Sequence, residues 1–160
     1  MTVIPASGSG DIVGTASGVV SSTTQEAVLV LGAGHDMTGI LDIQAPLVNN
    51  GRIIADNSGE VITLSTYAKT GNGDYEISTH ATAEIMVNVP VSGSSGSGLT
   101  ISNGTLTVNY FFILCGELNM TGGAIDGDSV VYACTVLHEG TGNGGTITVA
   151  SGARLTTLCE

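Results

Sequence analysis

The chain has 160 residues, of which 14 are Asp or Glu and only three are Lys or Arg, giving a formal charge of -11. So little neutralising charge opposes binding to phosphate backbones and to anionic lipid, and neither nucleic acid nor membrane insertion is expected. One domain is expected at this length, and 24 glycines set among Ser, Thr, Asn, Val, Ile and Leu describe strands punctuated by turns, with no helical run of strong helix formers.

Residues 1–24 are rich in Gly, Ser and Thr, with apolar islands at Val3-Ile4, Ile12-Val13 and Val19-Val20. These islands are too small to bury a face by themselves, so the segment reads as an extended N-terminal arm whose six apolar residues make assembly contacts. The start carries neither a basic leader nor the apolar core of a secretory signal, and no later apolar run reaches membrane-spanning length. With Met1 as the native start, synthesis in the cytoplasm is expected.

An all-β domain is expected over 25–160. Its first half, 25–91, offers strands at Ala27–Leu31, Ile40–Ile43, Leu47–Val48, Arg52–Ala55, Glu60–Leu64 and Tyr75–Ser78, with Lys69–Asp74 as a turn. The stretch from His80 is ambiguous: Ala81–Val87 suits a short helical turn, whereas Val87–Val91 alternates like an edge strand stopped by Pro90. Ser92–Gly98 is a Gly/Ser loop or short linker leading into a second half, 99–160. There Leu99–Ile101, Leu106–Val108, Tyr110–Cys115, Leu118–Met120, Val130–Val136 and Ile147–Val149 are strand candidates, several alternating apolar with Thr or Asn. Tyr110, Phe111 and Phe112 would line the core or a subunit interface.

Four stretches share one pattern, an apolar residue, two spacers, a glycine, a spacer and another apolar residue. They are Val48–Ile53, Ile101–Leu106, Met120–Ile125 and, loosely, Val149–Leu155. Their glycines, 51, 104, 123 and 152, suit the corners of coils that stack at about 4.8 Å, strand over strand. With phrases such as Leu47-Val48-Asn49-Asn50-Gly51-Arg52-Ile53, the chain resembles the pectin-lyase-like β-helix superfamily and the short β-solenoid segments of adhesins and phage tailspikes. The fold implied is a short right-handed parallel β-helix; the alternative is an antiparallel β-sandwich or jelly roll, with the Asn-Gly pairs at 50, 72, 103 and 143 as hairpin turns.

Chemistry is sparse. Asp126 and Asp128 straddle Gly127 and read as a solvated turn, since a hard cation asks for six or more oxygens. His35, His80 and His138 are far apart with no metal-binding spacing, and Cys115, Cys134 and Cys159 are an odd number with no paired spacing. Buried free thiols are expected at Cys115 and Cys134. No nucleophile elbow or P-loop is present in the sequence, and no catalytic residue, metal or cofactor is expected.

The character of the chain resembles virion surface proteins of bacteriophages, the capsid decoration (cement) and fibre proteins. That resemblance implies a non-enzymatic structural role, a homotrimer, and binding of the major capsid protein or another virion protein through the arm. The alternatives are a bacterial surface adhesin or autotransporter fragment and a carbohydrate-binding or polysaccharide-cleaving module, the last resting on Asp126 and Asp128.

Overall fold

The computed structural model describes residues 11–137, 148–149 and 154–157. The strands are β1 (Ile12–Val20), β2 (Leu29–Leu31), β3 (Asp36–Ile43), β4 (Leu47–Asn49), β5 (Arg52–Ala55), β6 (Val61–Leu64), β7 (Lys69–Gly71), β8 (Asp74–Ile77), β9 (Glu84–Val87), β10 (Val91–Gly93), β11 (Leu99–Ile101), β12 (Thr105–Val108), β13 (Phe112–Met120), β14 (Ala124–Gly127), β15 (Val130–Leu137), β16 (Thr148–Val149) and β17 (Arg154–Thr157). Every pairing between them is parallel and joins a strand to its counterpart one coil later. The chain is therefore a parallel β-solenoid of about six turns. No antiparallel pair occurs among the described residues, so Asn50-Gly51, Asn72-Gly73 and Asn103-Gly104 are corners of coils and not hairpin turns.

Three faces run the length of the coil. Face I stacks β2, β4, β7 and β10, then the first residues of β13 and β15, then β17. Face II stacks the start of β1 and of β3 on β5, β8, β11 and the later part of β13. Face III stacks the ends of β1 and β3 on β6, β9, β12, β14 and β16. Four strands, β1, β3, β13 and β15, are long enough to turn a corner and serve two faces.

Alternation explains the core. In a strand successive side chains point to opposite faces, so the three-residue strands β2, β4 and β11 send their first and third side chains inward and the four-residue strands β6, β8, β9 and β12 their second and fourth. The register then places like on like: Ile12, Met37, Ile53, Tyr75, Leu99 and Leu118 form one inward ladder on face II, and Leu41, Ile62, Ile85, Leu106 and Ile125 form one on face III. Nearly all of these side chains are shielded from solvent and belong to a single continuous core. On face I the corresponding ladder is Leu29, Leu47, Lys69, Val91, Phe112, Val131 and Leu155, at intervals of 18 to 24 residues, which is the true coil length. Phe112 is fully buried, meeting Tyr75 edge-on with ring centres 5.1 Å apart.

The glycine pattern marks corners, but not one corner. Gly51 sits between faces I and II, whereas Gly104 and Gly123 lie one above the other between faces II and III, at φ of +77° and +78°. A Cβ at Gly104 would fall 2.4 Å from the Ala83 carbonyl oxygen, so both the backbone angle and the close stacking exclude a side chain there.

Several expectations change. Residues 12–20, expected within an extended arm, form β1 and pair with β3, so this part of the arm is the first coil of the body. Val3 and Ile4 lie outside the described residues. The Gly/Ser segment at 92–98 is no linker between two halves: face I strands stack through β10, and the turn after it is ordered, with Ser97 buried and its hydroxyl donating to the Ser94 carbonyl at 2.7 Å. Residues 81–87 hold no helical turn; Glu84–Val87 is strand β9, held between β6 and β12. Lys69–Gly71, expected in a turn, is a face I strand. Cys115 and Cys134 lie within β13 and β15, but their side chains, like Cys159, are outside what is described.

Candidate functional site

The outward positions of face II form a groove of about 520 Å³ whose lining includes Arg52, Asp74, Glu76, Thr100, Glu117 and Asn119. One wall is the turn after β10. It is five residues long where the two preceding coils turn the same corner with Asn50-Gly51 and Asn72-Gly73, so it stands proud of the sheet. It is pinned by the Gly98 N–H, which donates to Asp74 Oδ1 at 3.0 Å, and by the packing of Ser97 over Gly93 and Gly116, where a Cβ would fall 2.1 Å from Ser97 Oγ and 1.9 Å from Ser97 O. Arg52 is committed to Asp36 of the coil before, with Nε and Nη2 donating at 2.9 and 2.6 Å. The Oδ1 of Asn119 is buried without a hydrogen-bond partner. This groove could accept hydroxyl-bearing ligands; among the described residues no cluster of His, Cys, Asp and Glu could hold a metal ion.

The second surface is the N-terminal end of the solenoid. On β1, Ile12 and Val20 point inward and pack on the core, while Val13 and Val19 point outward and are 60% and 59% exposed. Ile40 on the neighbouring coil adds a third exposed apolar side chain. Among the described residues β1 pairs with β3 alone, and a strand edge of that kind can take up a further strand.

Tyr110 and Phe111 occupy the corner between faces III and I, with ring centres 5.1 Å apart; Tyr110 is exposed and Phe111 half-buried. Phe112, the third member of that set, belongs to the core. Asp126 projects outward from face III and Asp128 follows at the next corner, both exposed, with Asp126 Oδ1 accepting from the Gly127 N–H at 2.7 Å. Neither lines the face II groove. His35 and His80 lie at successive corners of different coils, and His138 is outside the described residues.

Most other carboxylates bond from one coil to the next or within a corner. Asp42 accepts from Ser65 Oγ at 2.5 Å and Gln44 Nε2 at 2.7 Å, and Glu84 accepts from Thr107 Oγ1 at 2.5 Å. Glu60 accepts the backbone N–H groups of Asp56 and Asn57 at 2.8 and 2.9 Å. Burial alone would raise its pKa, but the Asn57 side chain and these N–H groups together hold the carboxyl below its ordinary value. Asp56 beside it moves the other way, raised by burial and by the charge of Glu60.

Sequence reasoning missed one functional group entirely. Lys69 stands in the inward ladder of face I between Leu47 and Val91, with its stem in the core. Its ammonium is fully buried and donates to the carbonyl oxygens of Ala45, Ser65 and Tyr67 at 2.9, 2.8 and 2.5 Å. Burial pulls its pKa down to about 8, against the opposing charge of Asp42. The signal available in the sequence was positional: Lys69 lies 22 residues after Leu47 and 22 before Val91.

No family model matches this chain, and no curated protein or solved structure is significantly similar to it.

Proposed function

We propose that this chain is a non-enzymatic structural protein of a virion surface, of the capsid decoration or fibre type, attached through its N-terminal end. One observation carries this reading: many polar side chains of the outer faces hold one coil to the next. Asp36 with Arg52, Asp42 with Ser65, Asp74 with Gly98, Glu84 with Thr107 and Asn88 with Asn109 each bridge neighbouring coils. Groups tied in this way stiffen a rod and are poorly placed to exchange protons with a substrate. The attachment point is β1, where a strand edge and the exposed Val13 and Val19 suit addition of a strand from the major capsid protein or another virion protein.

The test has two parts. Purified virions are expected to contain the chain in a fixed ratio to the major capsid protein; its absence from virions and presence in a cell-envelope fraction overturns the virion role in favour of a surface adhesin. Val13→Asp with Val19→Asp is expected to abolish binding to capsid shells while leaving far-UV circular dichroism unchanged. Undiminished coating by that variant overturns attachment through β1.

The face II groove favours a second reading, a carbohydrate-binding module. A glycan panel tests it: binding lost on Glu76→Gln with Glu117→Gln supports it, and no binding by the parent chain removes it.

A further inference from the structure

The three faces differ in charge. β17, the last strand of face I, begins with Arg154; over the six coils before it, face I with its flanking corners comprises residues 28–35, 46–51, 66–73, 88–98, 109–116 and 129–135, and these six segments contain no Asp or Glu. Their one Lys or Arg, Lys69, points inward. The outward ladder of this face is Val30, Val48, Thr70, Ser92, Ile113 and Tyr132, in register over six coils. The apolar members are half-buried and stand outside the core, and Thr70 and Ser92 at the middle are exposed. Faces II and III, by contrast, project carboxylates such as Asp74, Glu76 and Glu117, or Asp42, Glu84 and Asp126. Glu26 and Asp128 stand only at the margin of the corner between faces III and I.

We propose that two copies of this chain pack against each other through face I. Charge selects the occupant. A cationic partner would be drawn to face II or III, whereas a second copy, itself strongly acidic, can approach closely only where no carboxylates are brought together. Area gives the strength. Six coils at about 4.8 Å, with about four residues across at about 3.3 Å each, make a surface of roughly 400 Å² per copy before side-chain relief is counted. Two copies would bury roughly 800 Å² in all, less than the ~1,000 Å² that a stable specific interface clears, so the pair is weak, transient and concentration-dependent. Geometry gives the symmetry: one flat uncharged face per copy closes as a twofold pair. The threefold arrangement expected from the sequence would need two uncharged flanks on each copy.

Sedimentation velocity on the full chain, from micromolar to millimolar concentration, tests this. The parent is expected to approach twice the monomer mass as concentration rises. Thr70→Asp with Ser92→Asp, both exposed at the middle of face I, puts like charges across the pair and is expected to stay monomeric throughout, with unchanged far-UV circular dichroism. The same charge added elsewhere, by Thr63→Asp on face III with Thr100→Asp on face II, is expected to leave the dimer as in the parent. A parent that stays monomeric, a trimer, a dimer that survives the face I substitutions, or a control that dissociates equally each overturns the proposal. None of these outcomes depends on whether the chain belongs to a virion.

Discussion

Replacing Lys69 by Met probes whether the buried ammonium holds this corner of the solenoid. Methionine keeps an unbranched stem of similar length in the ladder between Leu47 and Val91, so the apolar packing is retained and only the head group is lost. The carbonyls of Ala45, Ser65 and Tyr67 then have no ammonium to accept from. The Ser65 oxygen still accepts from the Tyr67 N–H at 2.8 Å, but a buried polar group left unsatisfied costs about 1–3 kcal/mol, so the other two cost about 4 kcal/mol at the middle of that range. Against this, the variant no longer buries an ammonium, whose penalty corresponds to the fall in pKa from 10.5 to about 8, or about 3 kcal/mol. The net expectation is a loss of about 1 kcal/mol. Urea unfolding followed by far-UV circular dichroism would show it as a lower midpoint at constant slope. The pH dependence is a second readout with a definite sign. Because the folded-state pKa is depressed, the unfolded chain binds more protons between about pH 8 and 10.5, so the stability due to Lys69 rises with pH in that window. Relative to Lys69→Met, the parent should gain on the order of 2 kcal/mol between pH 8 and 10. A variant as stable as the parent at pH 7, with the same profile above pH 8, would falsify the claim that this ammonium bridges the corner.

Two glycines at φ of +77° separate backbone strain from steric exclusion. Gly104→Ala meets the Ala83 carbonyl at 2.4 Å and should cost about 3 kcal/mol, while Gly59→Ala has open space around its Cβ and should cost about 1 kcal/mol; equal losses in chemical denaturation would show that packing at the corner is irrelevant. Phe112→Ala removes a fully buried ring from the contact with Tyr75 and should cost about 3–5 kcal/mol by the same assay. Arg52→Ala removes a salt bridge whose guanidinium side chain is 52% exposed, so a change below about 1 kcal/mol is expected, shrinking as salt is added. For Tyr75, burial raises the hydroxyl to about 12, with a hydrogen bond to Asn49 opposing. The unfolded chain releases this proton first, so its contribution to stability is lost as pH rises above about 10, and Tyr75→Phe should flatten that fall.

The sequence by itself determined the class of structure and most of its pieces. Two-residue periodicity in Val61–Leu64, Leu99–Ile101 and Thr105–Val108 names strands and also the side of each that faces inward, because side-chain alternation is local. The low content of basic residues likewise limits partners without reference to any fold. What tertiary structure decided is which strand lies on which. Asn50-Gly51 turns a hairpin and a solenoid corner with similar local geometry, and only stacking at one coil's distance selects the parallel arrangement. The same stacking makes strands of Lys69–Gly71 and Ile12–Val20, which are too polar or too rich in glycine to declare themselves: neighbours a coil away supply the hydrogen bonds and the apolar contacts. The functional surfaces depend on it most. Face I presents no outward charge over six coils because six segments, each unremarkable alone, come into register every 18 to 22 residues, and the face II groove exists because one corner is longer than those beneath it. Chemistry of that kind is spread over distant positions, and no window of sequence contains it.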